Sequence, residues 1–322
     1  MTRPSRFSQE WVDYFIPSTV RWDETGFPDI SEAVMRNVVR VSAEQPYGIT
    51  DGAVLDEYEG LATYMRMSEL RRRSIPGRFD LNHLRKIHHH LFQDVYPWAG
   101  ELRTAPRDWP MAKMGPDVQA YRRGVRNPPE VGHRYLSAKE VRGYGTAALD
   151  RVAAKNNLRN LDRDTFVDEL TKVWARINYV HPFREGNTRT QFAFFTQLTA
   201  EAGYTLDAER FQPAEAELPQ TRSVVGDLRE QFVWGRFEYV QTGETTLLRE
   251  TIDAAIITPS PATGTAPATA GPGYDLAALR AAMGSHRRSI RDVLNKRAPT
   301  IDEPIRHTEP DRSLTRDTGY EL

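Results

Sequence analysis

The run His181-Pro-Phe-Arg-Glu-Gly-Asn-Thr-Arg-Thr-Gln191 places an imidazole, a carboxylate, a Gly-Asn step and a guanidinium in one short stretch. His181 carries a side chain whose ordinary pKa lies near neutrality, which suits a general base. Glu185 offers hard oxygen ligands, of the kind Mg²⁺ takes together with phosphate oxygens. Gly186 would let the backbone approach a phosphate, Asn187 would donate to it, and Arg189 would neutralise it with a forked contact. Together these groups suit the transfer of a group from a nucleotide. A polar loop between two core helices, with His181 as a cap, accounts for His-Pro-Phe alone. Such a loop has no structural need for all five groups.

The flanking stretches are predicted to hold this run. Residues 166–180 carry Val167, Leu170, Val173, Trp174 and Ile177 at helical spacing. Pro182 disfavours helix at the residue before it, so this helix is expected to end near Val180, with Asp164 as its cap. A second apolar run, 192–198, predicts a helix opening near Asn187 or Thr188 and stopping at Gly203. A helix N-terminus presents free N–H groups and a positive dipole end to an anion. Further upstream, Asp80 is a candidate cap for a helix whose stripe is Leu81, Leu84, Ile87, His88, Leu91 and Phe92. His88, His89 and His90 point in different directions on a helix, so they do not converge on one metal ion. His88 reads instead as a hydrogen-bonded core histidine. Helical spacing also marks residues 54–70, with Leu55, Tyr58, Leu61, Tyr64, Met65 and Leu70. It marks 138–156 with Val141, Tyr144, Leu149 and Val152, and 223–240 with Leu228, Phe232 and Phe237 inward. Gly115 to Ser137 reads as loop, and a short hairpin is expected through Arg107 to Lys113 with an edge strand starting near Leu102.

The run resembles the Fic-domain signature His-x-Phe-x-(Asp/Glu)-Gly-Asn-Gly-Arg-x-x-Arg. The match holds at His181, Phe183, Glu185, Gly186, Asn187 and Arg189. It departs at Thr188, where glycine is usual, and at Phe192, where a second arginine is usual. Tyr14-x-x-Pro17 followed by Gly48-Ile-x-Asp51 and the segment Trp98-Ala-Gly-Glu-Leu-Arg103 extend the resemblance over residues 10–256, about three-quarters of the chain. It implies a mainly α fold: a Fic-like helical core with a small β-hairpin flap that pairs with a target's main chain. Lys113 falls near the flap's usual target-binding lysine; a solvated side chain explains it equally well. Asp227 lies in a segment that lines the family's adenine pocket.

The implied activity is a nucleotidyltransferase, a protein adenylyltransferase moving AMP from ATP–Mg²⁺ to a hydroxyl of a target protein. His181 would be catalytic, Glu185 the metal ligand, and Gly186, Asn187, Thr188 and Arg189 nucleotide-binding. The usual arginine at position 192 contacts the terminal phosphate, so Phe192 either weakens ATP use or belongs to the core beside Phe194 and Phe195. Transfer of another phosphate-containing group, or a catalytically weak module that binds a protein partner, are the alternatives. Short Fic toxins imply type II topoisomerase subunits as targets. Family members are commonly silenced by a (Ser/Thr)-x-x-x-Glu-(Gly/Asn) helix. Glu59-Gly60 has Leu55 at the first position, and Thr246 to Glu250 is followed by Thr251. The absence of a full match implies a separate small antitoxin. Arg189 could pair with such a glutamate, but could not then also hold phosphate.

The remaining sequence bounds the setting. With 43 basic and 44 acidic residues, net charge −1 gives no global pull toward nucleic acid or an anionic membrane. There is no cysteine, which excludes disulfides and thiolate metal sites. No apolar stretch has membrane-spanning length, and no signal-peptide core follows the N-terminus, so a cytoplasmic protein is expected. The expected organisation is a leader at 1–60, its aromatics Trp11, Tyr14, Phe15, Trp22 and Phe27 packed on the body, and a Fic-like domain at 61–256. A Pro/Ala/Thr linker follows at 257–273, then a basic helix and disordered tail at 274–322, forming a flexible C-terminal extension.

Overall fold

Caps and apolar stripes set the helices of the chain. The computed structural model describes residues 9–26, 28–39, 46–105, 107, 111–211 and 228–257. In chain order the helices are α1 (Gln9–Val12), α2 (Gly52–Arg72), α3 (Leu81–Phe92), α4 (Val118–Arg122), α5 (Ala138–Ala154), α6 (Arg163–Val180), α7 (Asn187–Glu201), α8 (Leu228–Thr242) and α9 (Thr246–Ala255). The strands are β1 (Arg21–Trp22), β2 (Pro28–Asp29), β3 (Ala112–Pro116), β4 (Glu130–Arg134), β5 (Thr205–Leu206) and β6 (Ile256–Ile257), paired antiparallel in three two-stranded sheets, β1–β2, β3–β4 and β5–β6. The fold is mainly α, as the sequence implied.

Asp80 caps α3, accepting from the His83 N–H at 2.8 Å. On α6 the cap is Asp162 rather than Asp164. Asp162 has the extended backbone a cap needs, and accepts from the Thr165 N–H at 3.0 Å. Asp164 lies inside the first turn, where a carboxylate still favours the dipole. The stripe of α6 is buried, with Trp174 wedged between Phe192, Phe195 and Phe232. Truncating a buried tryptophan of this kind costs roughly 3–5 kcal/mol. Helices α3, α6 and α7 supply the middle of one large core, with α2 and α9 also contributing.

The hairpin differs from the expected one. Its strands are β3 and β4, in register from Ala112 opposite Arg134 to Pro116 opposite Glu130. Residues 101–105 form no strand, because the Arg103 N–H is spent on the Pro182 carbonyl at 2.9 Å. The stretch expected to be loop, 115–137, contains α4 and all of β4. Gly115 sits flush on α8: a Cβ there would lie 2.2 Å from the Phe237 ring. Phe237 also stacks on His133 of β4, with ring centres 4.0 Å apart, so α8 is the base on which the flap rests.

The leader contributes to the body through Trp11, Phe15, Ile16, Val34 and Ile49, all buried, whereas Trp22 is 52% exposed. A boundary at residue 60 falls inside α2. Phe27, residues 223–227 and everything from 258 onward, including all but the first residue of the expected linker, the basic helix and the tail, lie outside the described residues; Ile257, the first linker residue, belongs to β6.

His88 pins α3 to the signature loop. Its Nδ1 accepts from the Gly100 N–H at 2.7 Å, so Nε2 carries the proton and donates to the Glu185 carbonyl at 3.0 Å. The ring also stacks on Phe183, centre to centre 3.9 Å. His89 turns instead to the Ala99 carbonyl and His90 to Glu69. Burial lowers the His88 pKa to about 3. Between that value and about 6.5 the unfolded chain binds a proton the folded one refuses, so stability falls as pH drops through this window. The slope from this residue is about 1.4 kcal/mol per pH unit. Urea unfolding between pH 4 and 6 should show it, and His88→Phe should flatten the slope while lowering stability throughout.

Candidate active site

The loop from His181 to Gly186 joins α6 to α7, and two left-handed residues set its ends. His181 closes α6 with φ 45° and ψ 66°, and its N–H still bonds the Ile177 carbonyl at 3.0 Å. A histidine in this region is strained unless its surroundings over-determine it. Here the Arg103 guanidinium does so. It donates to the carbonyls of His181 (2.7 Å), Val180 (3.1 Å) and Leu136 (2.5 Å), satisfying the last carbonyl of α6 and that of its C-cap. Arg103 is buried, and burial lowers its pKa to about 10, so it stays charged at neutral pH. The His181 ring stacks on Tyr135, the residue that follows β4, at 4.0 Å and 12°. The imidazole is therefore held by the exit of the flap.

Gly186 opens α7 with φ 73°. The sequence reading gave this glycine to phosphate approach. The structure adds a second demand, since a Cβ would lie 2.1 Å from the Phe92 ring. Asn187 is committed to the loop: its side chain donates to the Phe183 carbonyl and accepts from the Phe183 N–H, both at 2.9 Å. Glu185 is buried; its Oε1 accepts from the Gly186 N–H at 2.8 Å and lies 3.7 Å from Arg189. Thr188, in the first turn, accepts a hydrogen bond from Arg236 of α8 at 2.8 Å. Lys113 lies on β3 opposite His133.

Arg189 pairs with Glu59 of α2 and also donates to the Thr63 hydroxyl at 3.1 Å, with its guanidinium 4.8 Å above the Phe92 ring. The Tyr96 hydroxyl donates to the other oxygen of Glu59. Burial, and next the Glu59 carboxylate, push the Tyr96 pKa well above its usual value, so it remains a donor. The sequence reading set Glu59-Gly60 aside because Leu55 precedes it where a hydroxyl residue is usual. The structure puts this glutamate on a signature arginine nevertheless. The sequence offered Arg189 as a partner for such a glutamate; that Glu59 is the glutamate it meets was not legible.

Arg184 shows a different kind of anchoring. Its guanidinium lies 4.5 Å from the Trp11 ring and 5.2 Å from Phe15, so the leader grips the loop through cation–π contacts. No sequence signal singled it out.

Phe192, where the second signature arginine is usual, is buried among Trp174 (5.0 Å), Phe211 (4.9 Å) and Phe232 (5.0 Å). That decides the sequence alternative in favour of a core residue. Phe192→Arg would place a charge in an aromatic cluster and should destabilise the fold by about 3 kcal/mol or more. Thermal unfolding checks it; a variant as stable as the parent would mean the side chain can escape to solvent.

Residues 78–199 match the Fic/DOC family. The protein adenylyltransferase VbhT of Bartonella schoenbuchensis is 34% identical over 180 residues, covering 56% of this chain and 33% of that protein. The probable protein adenylyltransferase y4lH of Sinorhizobium fredii is 36% identical over 182 residues, 56% of this chain and 82% of its own length. The chain thus spans a third of one relative and most of the other. The BepC protein of Bartonella tribocorum, crystallised with AMPPNP, shares the fold at TM-score 0.51 and 19% identity, over 70% of this chain and 93% of that one. A left-handed histidine and a glycine-opened helix on a helical core, matched in sequence across most of a relative's length, place this chain in the Fic/DOC family.

Proposed function

We propose that the chain is a protein adenylyltransferase that moves AMP from ATP to a hydroxyl side chain of a target protein. The observation that carries this reading is one short loop that runs from His181 at the end of α6 to the N-terminus of a 15-residue helix, where Glu185 lies 3.7 Å from Arg189. Relatives named protein adenylyltransferases, and structural neighbours crystallised with AMPPNP or ADP, support it.

In this reading His181 accepts the proton of the target hydroxyl as its oxygen bonds to the α-phosphorus. The bond from that phosphorus to the β-phosphate bridging oxygen breaks, and pyrophosphate leaves with the charge. The α7 N–H groups and Arg189 face the developing negative charge. Glu185 fits a Mg²⁺ site by its chemistry, as a hard carboxylate already oriented by the Gly186 N–H. When bound, the metal would neutralise phosphate charge. Asn187 keeps the loop shut around Phe183, so phosphate donation falls to the backbone rather than its side chain. The β3–β4 hairpin would align the target strand, with Lys113 on it. Among target proteins, type II topoisomerase subunits are the first to try, and a small antitoxin is a partner to seek.

Lysate incubation with ATP labelled either in adenine or at the γ-phosphate tests the reaction. Label from adenine should reach protein and γ-label should not; the reverse would make the enzyme a phosphotransferase. The control is His181→Asn rather than alanine. Asparagine tolerates the left-handed backbone that alanine does not, and it cannot act as a base. Transfer should fall at least about a hundredfold with an unfolding temperature near the parent's. A parallel fall of both would remove the catalytic role.

Glu59 holds the guanidinium assigned here to phosphate. Glu59→Ala leaves Arg189 and Tyr96 short of an acceptor, and should lower apo stability by about 3 kcal/mol. ATP would then supply the missing anion, so its stabilising shift in unfolding temperature should be larger than in the parent. An unchanged or smaller shift would mean Glu59 and phosphate do not compete.

A further inference from the structure

Both departures from the Fic signature touch one element outside it. Phe192 packs on Phe232 of α8. One turn further along that helix, Arg236 lays its guanidinium 5.1 Å over the same Phe232 ring and donates to the Thr188 hydroxyl at 2.8 Å. Arg236 is 6% exposed, so its charge is held inside the fold, next to the first turn of α7. Glycine at 188 would offer no side chain to meet this arginine. An arginine at 192 would not build the ring contact on which Phe232 rests. Arg189 reaches the α7 start from the α2 side, where it meets Glu59, and Arg236 reaches it from the α8 side.

From this we infer that Arg236 is a nucleotide-binding residue: a guanidinium supplied by α8 that holds the phosphate chain beyond the α-phosphate, with Thr188 as its positioning partner. The inference rests on the proposed use of a nucleoside triphosphate at this loop. The chemistry favours a polyphosphate over a monophosphate. A helix N-terminus flanked by two guanidiniums, that of Arg189 and that of Arg236 on the Thr188 hydroxyl, matches an extended multiply charged anion better than a single phosphate group. A forked donor stacked on an aromatic ring has its orientation set before the ligand arrives. The same helix carries Phe237 against the flap, so it sits between the phosphate end and the face where a target strand would lie.

The experiment is calorimetric titration of the full chain with AMPPNP, ADP and AMP in the presence of Mg²⁺, alongside the labelled-transfer assay. Arg236→Met keeps an apolar stem over Phe232 and removes the charge. It should weaken AMPPNP and ADP by about 10- to 100-fold and AMP by less than about threefold. Arg236→Lys should recover part of the loss. Thr188→Val, which keeps the volume and removes the hydroxyl, should shift AMPPNP in the same direction by a smaller factor. If Arg236→Met fails to fold, Arg236→Lys and Thr188→Val carry the comparison. Equal losses for all three nucleotides, or none, would overturn the assignment and leave Arg236 a structural brace. A parent that binds AMPPNP with this selectivity but transfers no label would sink the transferase reading and keep the inference. A parent that transfers label, with Arg236→Met unaffected, would do the opposite. A parent that binds no nucleotide would end both.

Discussion

The left-handed turn at His181 is the constraint on which the site depends, and one buried cation maintains it. Arg103 bonds the last carbonyl of α6, the carbonyl of His181 and that of Leu136 just beyond the hairpin. Its own N–H bonds Pro182. A helix end, a strained histidine and the exit of a hairpin are thereby tied to one planar group whose donors have fixed directions. Proline at 182 prevents α6 from continuing, but ending a helix does not by itself choose a left-handed exit. The choice follows from satisfying three carbonyls at once inside a water-poor interior, where unpaired ones are costly.

The second anchor is aromatic. His88 stacks on Phe183 and holds the Glu185 carbonyl, while Phe92 fills the space a side chain on Gly186 would need. The loop thus lies between α3 below and the leader's Trp11 and Phe15, which hold Arg184. Its polar groups face a limited direction because apolar groups occupy the others. Tyr135 on the His181 ring adds the exit of the flap to this arrangement.

Charge is shared sparingly around α7. Arg189 meets Glu59, Glu185 and Thr63, and Tyr96 donates to the same Glu59. A buried guanidinium needs an anion, and the carboxylate on α2 meets that need without any ligand. Under the proposed function, a phosphate on Arg189 would compete with Glu59 on α2, which is also the helix joining the leader to the body.

The signature, its loop and the two helices around it were legible in sequence because they depend on local physics. Apolar spacing gives α3, α6 and α7, Pro182 ends one helix, and Asp80 caps another. The hairpin was misplaced because β3 and β4 are joined by a segment carrying its own helix, and because strand pairing is set by a partner fourteen to twenty-two residues away. Cap choice at Asp162 over Asp164 turned on a backbone angle that composition does not encode. The meaning of Phe192 lay beyond sequence altogether: a phenylalanine beside two others is equally a lost ligand or a core residue until Trp174, Phe211 and Phe232 surround it. Residue types and near-neighbour spacing therefore determined what chemistry this chain can do. Tertiary structure decided which charges meet, as with Glu59 and Arg189 across 130 residues and Arg236 and Thr188 across 48, because buried ion pairs and hydrogen bonds are chosen by packing, not by order along the chain.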